Sequence, residues 1–515
     1  MLSYTFGLQT ERMLLLMMAT LLLTLPILSI AGLLNIPIQS VVGSSLTAKE
    51  VQSISEGLTA KEVQPMAGDL TAMEVRSKSG GLTDKEELGK IAFFDTKLSL
   101  NRNQACASCH AENVGFTGPD SDVNAVGSVF EGSVSGRFGN RKPPSAAYAA
   151  NSPILAPVEE DGEFVFIGGN FWNGRATGHK LGNPAADQSQ APFINPVEQA
   201  LPDSACVVYR VCNDKKYDKG KLFENAWPGA CEIEWPEEEQ INEVCKKKKK
   251  DQDNENLMTT DMPDDDSNIA FGTIQLSKTD RQRSDEAYDK IGISIGAFEG
   301  TSVLNKFDSK FDAVMAGNDE FTEEEALGFE LFKGQGQCSA CHVLDPGPSG
   351  EPTLLTDFTY DNLGVPRNPE NPWYNQKEFN PAGRDWVDLG LGEFLATTPT
   401  ELVPDYSSFA QSNMGKQKVP TLRNVDKRPY DGFVKAFMHN GYFKSLKSVV
   451  HFYNTRDTKP ECPDPFTTEA SALEQGCWPA AEVEVNVNKD ELGNLGLTDQ
   501  EENAIVTFMA TLSDF

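Results

Sequence analysis

The residues able to do redox chemistry are concentrated in two pentapeptides, Cys106-Ala107-Ser108-Cys109-His110 and Cys338-Ser339-Ala340-Cys341-His342. C-x-x-C-H is the attachment pattern for c-type haem. The two thiols add to the porphyrin vinyl groups, and one turn of backbone leaves the following His aimed at the iron as proximal ligand. A paired C-x-x-C also suggests structural zinc, but zinc needs neither the His nor the long gap from His110 to Cys338. The sequence therefore predicts two covalently bound haem c groups. Cys106, Cys109, Cys338 and Cys341 attach them, and His110 and His342 ligate the irons.

Each motif needs an element to carry it. Thr83-Asp-Lys-Glu86 is a T-x-x-E capping box, in which the Thr side chain and the Glu carboxylate satisfy the first free N–H groups of a helix. It predicts a helix from Thr83 to about Phe94, with Leu88 and Ile91 on one face, leading into the first motif. Thr322-Glu-Glu-Glu325 opens a second such helix, marked by Leu327 and Leu331, which delivers Cys338. A third box, Thr498-Asp-Gln-Glu501, opens a closing helix through Leu512. Strand-like alternation is scarce, while 42 Gly and 30 Pro point to long loops. The expected fold class is all-α, with short helices wrapped by loops.

At 515 residues the chain exceeds the size of one hydrophobic core, so at least two domains are expected. The formal net charge of −31 argues against nucleic acid or an anionic membrane surface as partner, and would steer a basic redox protein. Residues 13–34 are apolar and uncharged behind Arg12, which marks an export segment. Ser29-Ile30-Ala31 could serve as the cleavage site, and the run is long enough to remain as an anchor instead. Residues 1–31 are thus a signal peptide or membrane anchor, and the expected location is the periplasm. Six further cysteines (206, 212, 231, 245, 462 and 477) then read as three disulfides. Cys462 pairs with Cys477 by proximity; the other four allow three pairings. A Leu-Thr-x-x-Glu unit recurs from Leu46, Leu58, Leu70 and Leu82. Twelve residues cannot build a core, so residues 32–81 are expected to be a disordered tether. Residues 201–285 look like an insertion, Cys-rich and then strongly charged from Lys246 to Asp266, a block read as a solvated loop.

Several ordered motifs from Leu82 onward add to this. Gly89-Lys-Ile-Ala-Phe-Phe-Asp95, Phe171-Trp172-Asn173-Gly174-Arg175-Ala176, Asn195-Pro196-Val197-Glu198, Ala297-Phe298-Glu299, Pro420-Thr421-Leu422-Arg423-Asn424 and Met438-His439-Asn440-Gly441 resemble the bacterial di-haem cytochrome c peroxidase and MauG superfamily. The resemblance implies two cytochrome c-like domains, residues 82–300 and 301–515. The N-terminal haem would meet hydrogen peroxide and the C-terminal haem would relay electrons. It puts Gln188, Pro192 and Glu198 on the distal side of the first haem. A carboxylate there can take a proton from one oxygen and give it to the departing one. Trp172 matches the aromatic between the haems, where a buried indole can carry a hole or gate electron exchange. An insertion that includes His179 separates Trp172 from Gln188.

The same resemblance bears on the axial ligands. Ordinary members cap the first haem with a His upstream of the Trp motif, and this chain has no His between 111 and 178. The first iron is therefore expected to be open unless His179 folds over it. The place of their second-haem Met, counted from His439, is taken by Tyr453, as in MauG-like members. A phenolate favours oxidised iron. Met414, Met438 and His451 are the fallback ligands. A calcium ion between the domains is also implied. Its expected Asn falls at or near Lys142 and a neighbouring Pro is replaced by Ala436, which leaves Asn140 and backbone carbonyls to bind it. The expected function is peroxide reduction at the N-terminal haem. Electrons would come from a small cytochrome or cupredoxin, or from an oxidisable partner protein. The alternative is a non-catalytic di-haem electron-transfer cytochrome, which would need neither an open iron nor Gln188 and Glu198.

Overall fold

The computed structural model describes residues 81–160, 162–246, 272–347, 350–397 and 403–515. The export segment, the tether and the charge block from Lys247 to Asp266 lie outside the described residues, as does any anchor they would form. The described residues belong to one compact unit, Arg76–Phe515. Among them no helix is long and apolar enough to cross a membrane.

Eight helices carry the functional regions. They are α1 (Asp84–Phe93), α2 (Pro184–Ile194), α3 (Ser204–Asn213), α4 (Glu238–Cys245), α5 (Lys278–Glu299), α6 (Glu323–Lys333), α7 (Leu446–Thr455) and α8 (Asp499–Ala510). The three capping boxes are all formed, at Thr83 with Glu86, Thr322 with Glu325 and Thr498 with Glu501. The two halves share a device. Helix α1 packs on α5, and α6 packs on α8. At each crossing a glycine admits the partner backbone: a Cβ at Gly89 would lie 1.9 Å from Ser294 O, and one at Gly328 would lie 1.9 Å from Ala504 O. No side chain fits there without parting the helices. Gly328→Ala is expected to destabilise the holoprotein by about 1–3 kcal/mol, as overpacking does. A lowered denaturation midpoint checks this, and an unchanged midpoint would contradict the crossing.

The crossing corrects one expectation. Gly328, Leu331 and Phe332 form the buried face of α6, while Leu327 is 41 % exposed. Leu327 neighbours Leu331 at four residues, but the buried face is centred on Gly328 and Phe332, which leaves Leu327 at its exposed edge.

Three apolar clusters fill the unit. The first is drawn from residues 88–304 and includes Leu88, Phe93, Phe193, Ile291 and Phe298. The second is drawn from residues 311–512 and includes Phe332, Phe443, Phe452, Trp478 and Phe508. A third, smaller cluster takes Leu155 and Phe166 from one half, and Tyr360, Leu391, Leu395 and Ala410 from the other. It is built on a hairpin that the sequence analysis did not anticipate, β1 (Ala156–Glu160) antiparallel to β2 (Glu163–Ile167). Phe164 and Phe166 share one face of β2 and both meet the Phe409 ring, with Phe166 buried and Phe164 left exposed. Otherwise, among the described residues, only Tyr360–Asp361 and Gln417–Lys418 pair as strands. The helix-rich, all-α texture holds.

The disulfides settle the open pairing. Cys462 joins Cys477 as expected, and Cys206 joins Cys245 while Cys212 joins Cys231. The Cys206–Cys245 bond ties α3 to α4. Arg210 of α3 reinforces it, donating to Cys245 O, Lys97 O and Ser99 O. The described residues of the region read as an insertion, 201–246 and 272–285, therefore pack into the first core, and α5 already begins at Lys278.

Candidate functional site: two cavities beside the Cys-His motifs

A short turn carries each motif. His110 N–H donates to Cys106 O, and His342 N–H donates to Cys338 O, each at 3.0 Å. That turn sets the imidazole directly after the thiols. A carbonyl then fixes each ring: His110 Nδ1 lies 3.1 Å from Phe116 O, and His342 Nδ1 lies 2.9 Å from Leu355 O. A carbonyl only accepts, so Nδ1 carries the proton and Nε2 is left for a metal, the orienting pattern of metal-bound His. Burial pushes both imidazoles down to about 4, so they are neutral, the form that ligates. Cys106, Cys109, Cys338 and Cys341 are unpaired. These donor sets fit c-type haem.

The first cavity is lined by Cys106, Cys109 and His110 together with Gln188, Pro192 and Glu198. Gln188 and Pro192 come from α2, and Glu198 from the turn that follows it. Asn195 Nδ2 donates to Glu198 Oε2 at 2.9 Å and fixes the carboxylate. Burial pushes the Glu198 carboxyl above its ordinary range, against the opposing pull of the Arg175 guanidinium. Arg175 lines the same cavity. His179 does not line it, and its Nε2 is held 3.0 Å from Leu155 O. The threat to an open site from that ring is thereby removed.

The second cavity is lined by Cys338, Cys341, His342, Met438, His439 and Tyr453. Tyr453 stands on α7, and its phenol is pushed upward by burial and by the neighbouring Cys341 and Cys338. Of the fallback ligands, Met414 packs against the third core, and His451 Nδ1 is bonded to Glu502 Oε1 at 2.9 Å. Neither lines this cavity.

Trp172 lines both cavities. It is 8 % exposed, its Nε1 donates to Lys142 O at 2.8 Å, and its ring meets that of His439 edge-on at 6.5 Å. His439 Nε2 is buried without a hydrogen-bond partner. Beside it a buried pair spans the two halves: Arg141 Nε and Nη2 each lie 2.6 Å from an Asp388 oxygen. Burial raises the Asp388 carboxyl, but Arg141 outweighs it and holds the group well below the usual range.

Four residues around these cavities went unassigned in the sequence. Glu299 lines the first cavity, and burial pushes its carboxyl up to about 8; its signal was the Ala-Phe-Glu motif. Lys418 lines both cavities, its Nζ bonded to Ser152 Oγ and Gly168 O, and burial pushes it down to about 7. Trp373 lines the first cavity and Asp388 the second. Both come from the loop-rich stretch after Pro366, which carried no motif.

The residues present do not fit calcium. Lys142, at or near the expected Asn position, is buried, and its Nζ donates to Thr117 Oγ1 and Pro143 O at 3.1 Å. A fixed ammonium there already occupies oxygen acceptors and repels a divalent cation. Asn140 O accepts from Asn371 Nδ2. Among the described residues the one trio of close ligand atoms is Cys341, Asp361 and Glu491, which contains a haem-attachment thiol. Treating the holoprotein with a calcium chelator is expected to leave its visible spectrum unchanged; a change reversed by added calcium would contradict this.

Comparison with known proteins agrees with the site. Residues 83–320 match the family described as di-haem cytochrome c peroxidase. The chain is 31 % identical over 429 residues to methylamine utilization protein MauG of Paracoccus denitrificans, covering 83 % of this chain and 88 % of that protein. It is 25 % identical over 429 residues to cytochrome-c peroxidase IdrP2 of Denitromonas iodatirespirans, covering 83 % and 81 %. The crystal structure of the diheme peroxidase BthA from Burkholderia thailandensis shares the fold, with a TM-score of 0.58 at 24 % identity over 84 % of this chain and 86 % of that one. Fold and site together define a helix-rich oxidoreductase with two c-type haems. The chain belongs to the di-haem cytochrome c peroxidase and MauG family.

Proposed function

We propose that the protein reduces hydrogen peroxide at the haem held by Cys106, Cys109 and His110. Its electrons come through the haem held by Cys338, Cys341 and His342, whose iron Tyr453, lining the same cavity, would also ligate. Each haem is attached by its own half of the chain, residues 82–300 and 301–515, while Trp373 and Lys418 of the second half complete the first cavity and Trp172 of the first half reaches the second. The observation that carries this is the asymmetry of the cavities. Gln188 and Glu198 line only the first, no His lies over it, and Trp172 is shared by both.

When bound, the first haem supplies the electrons that split the O–O bond. Glu198 removes a proton from the near oxygen of peroxide and returns it to the far one, which leaves as water. Gln188 orients peroxide by hydrogen bonding. Burial disfavours the Glu198 carboxylate, and the Arg175 guanidinium pulls in the opposite direction, toward the ionised form. Trp172, held by its bond to Lys142 O, passes electrons between the two sites.

The electron source is a small cytochrome or cupredoxin, or an oxidisable partner protein. The three disulfides support export to the periplasm. Rapid mixing of the oxidised holoprotein with peroxide tests the activity. A change in the haem spectrum with peroxide loss, without prior reduction, is expected. No peroxide loss under any redox condition would favour the electron-transfer cytochrome.

A further inference from the structure

We propose that Trp373 and Trp386 form a second electron route, separate from Trp172, that runs from the first haem cavity to the protein surface. It rests on the peroxidase reading above, because peroxide is the oxidant that draws electrons along it.

Trp373 lines the first cavity with Cys106, His110 and Glu198. It sits in the short turn Pro372–Asn375, and its backbone is fixed on both sides. Asn371 Oδ1 accepts from Trp373 N–H at 3.0 Å, and Asn380 Nδ2 donates to Trp373 O at 3.2 Å. Asn371 Nδ2 also donates to Asn140 O, which pins the turn to the cavity wall. Yet Trp373 Nε1 is buried with no hydrogen-bond partner. Buried indole N–H groups nearly always find an acceptor. In the wall of a cavity built for a prosthetic group, the missing acceptor belongs to that group. The indole N–H is thereby free to donate to the group that the cavity holds.

On its other side Trp373 meets Trp386 edge-on, with ring centroids 6.1 Å apart at 71°. Trp386 is half-buried and directly follows the exposed Arg384 and Asp385. Trp373 is itself half-buried with its Nε1 sealed from solvent, and Tyr374, 6.3 Å from Trp386, is buried, so Trp386, beside the exposed Arg384 and Asp385, is the outer end of the route. Indoles are the side chains most readily oxidised by one electron after thiols and phenols, and two in edge contact exchange electrons without a bridge.

The balance is simple. Hydrogen peroxide takes two electrons and two protons and leaves as two waters. Each electron passes from an external one-electron donor to Trp386, then to Trp373, then to the haem site. Each indole is oxidised and re-reduced by one electron, and the donor alone is consumed. Without a donor the hole stays on Trp386. The second oxidising equivalent of peroxide arrives by the same route, and the twice-oxidised indole loses two protons in all and takes the oxygen of a water, so that one indole and one peroxide give one hydroxytryptophan and one water.

The test treats the full-length holoprotein with peroxide in air, with no donor, and maps oxygenated tryptophan by peptide mass spectrometry per peroxide consumed. Among the six Trp, product is expected at Trp386 and to be lost there in Trp373→Phe. In Trp386→Phe, which lies outside the cavity and keeps the pocket intact, product should move back to Trp373. Equal product at Trp386 with and without the Trp373 indole would overturn the route. So would product confined to Trp172, Trp227, Trp235 or Trp478. The haem spectrum is read in the same samples: no response of the wild-type haems to peroxide sinks the peroxidase reading and the route with it, whereas a response without product at Trp386 sinks the route alone.

Discussion

Replacing Glu198 with Gln is expected to slow peroxide cleavage by about 10²–10⁴-fold, the range carried by a positioned acid–base group. Both haems should remain attached, since the amide has the shape of the carboxylate and Asn195 still has an oxygen to bond. The loss would be in proton transfer, so peroxide binding should change less than the cleavage step. The pH profile supplies a second readout. The base form of Glu198 is the carboxylate, and burial raises its pKa, so activity is lost as pH falls through a value above that of an exposed glutamate. Removing the Arg175 charge takes away the opposing pull and moves that acid limb to still higher pH. Unchanged cleavage in Glu198→Gln would assign the proton transfer to another group, with buried Glu299 the next carboxyl lining the cavity.

The second large effect is expected at Tyr453. Tyr453→Phe keeps the ring within α7 and removes only the hydroxyl, to which no protein group is hydrogen-bonded among the described residues. A structural tyrosine would lose little. A ligand would lose its bond to the second haem, with a changed low-spin spectrum and a weakened response to peroxide. Met438→Leu is the control, because Met438 lines the same cavity. A spectrum altered by Met438→Leu and untouched by Tyr453→Phe would move the ligand and weaken the MauG-like assignment.

What the sequence disclosed was local. The haem motifs, the three capping boxes and the pair Cys462–Cys477 are all written within short stretches, so spacing alone located them. Gln188 and Glu198 were found through ordered motifs, and they do line one cavity. What stayed hidden depends on contact between distant segments. The pairing of Cys206 with Cys245 needs α3 laid against α4. Leu327 looks like a core residue from its spacing to Leu331, but the crossing at Gly328 centres the buried face beyond it. Trp373 and Asp388 reach the cavities only because the stretch after Pro366 folds back over them, and no periodicity announces that. Lys142 departed visibly from the calcium pattern, but only its bonds to Thr117 and Pro143 show an ammonium already in place.

The most direct test of the central claim is the visible and EPR spectrum of the fully oxidised holoprotein before and after peroxide, with no reductant present. One high-spin and one low-spin haem are expected at rest, and both signals should change when peroxide is added. Two low-spin haems that stay inert to peroxide until an electron is supplied would contradict an open first site.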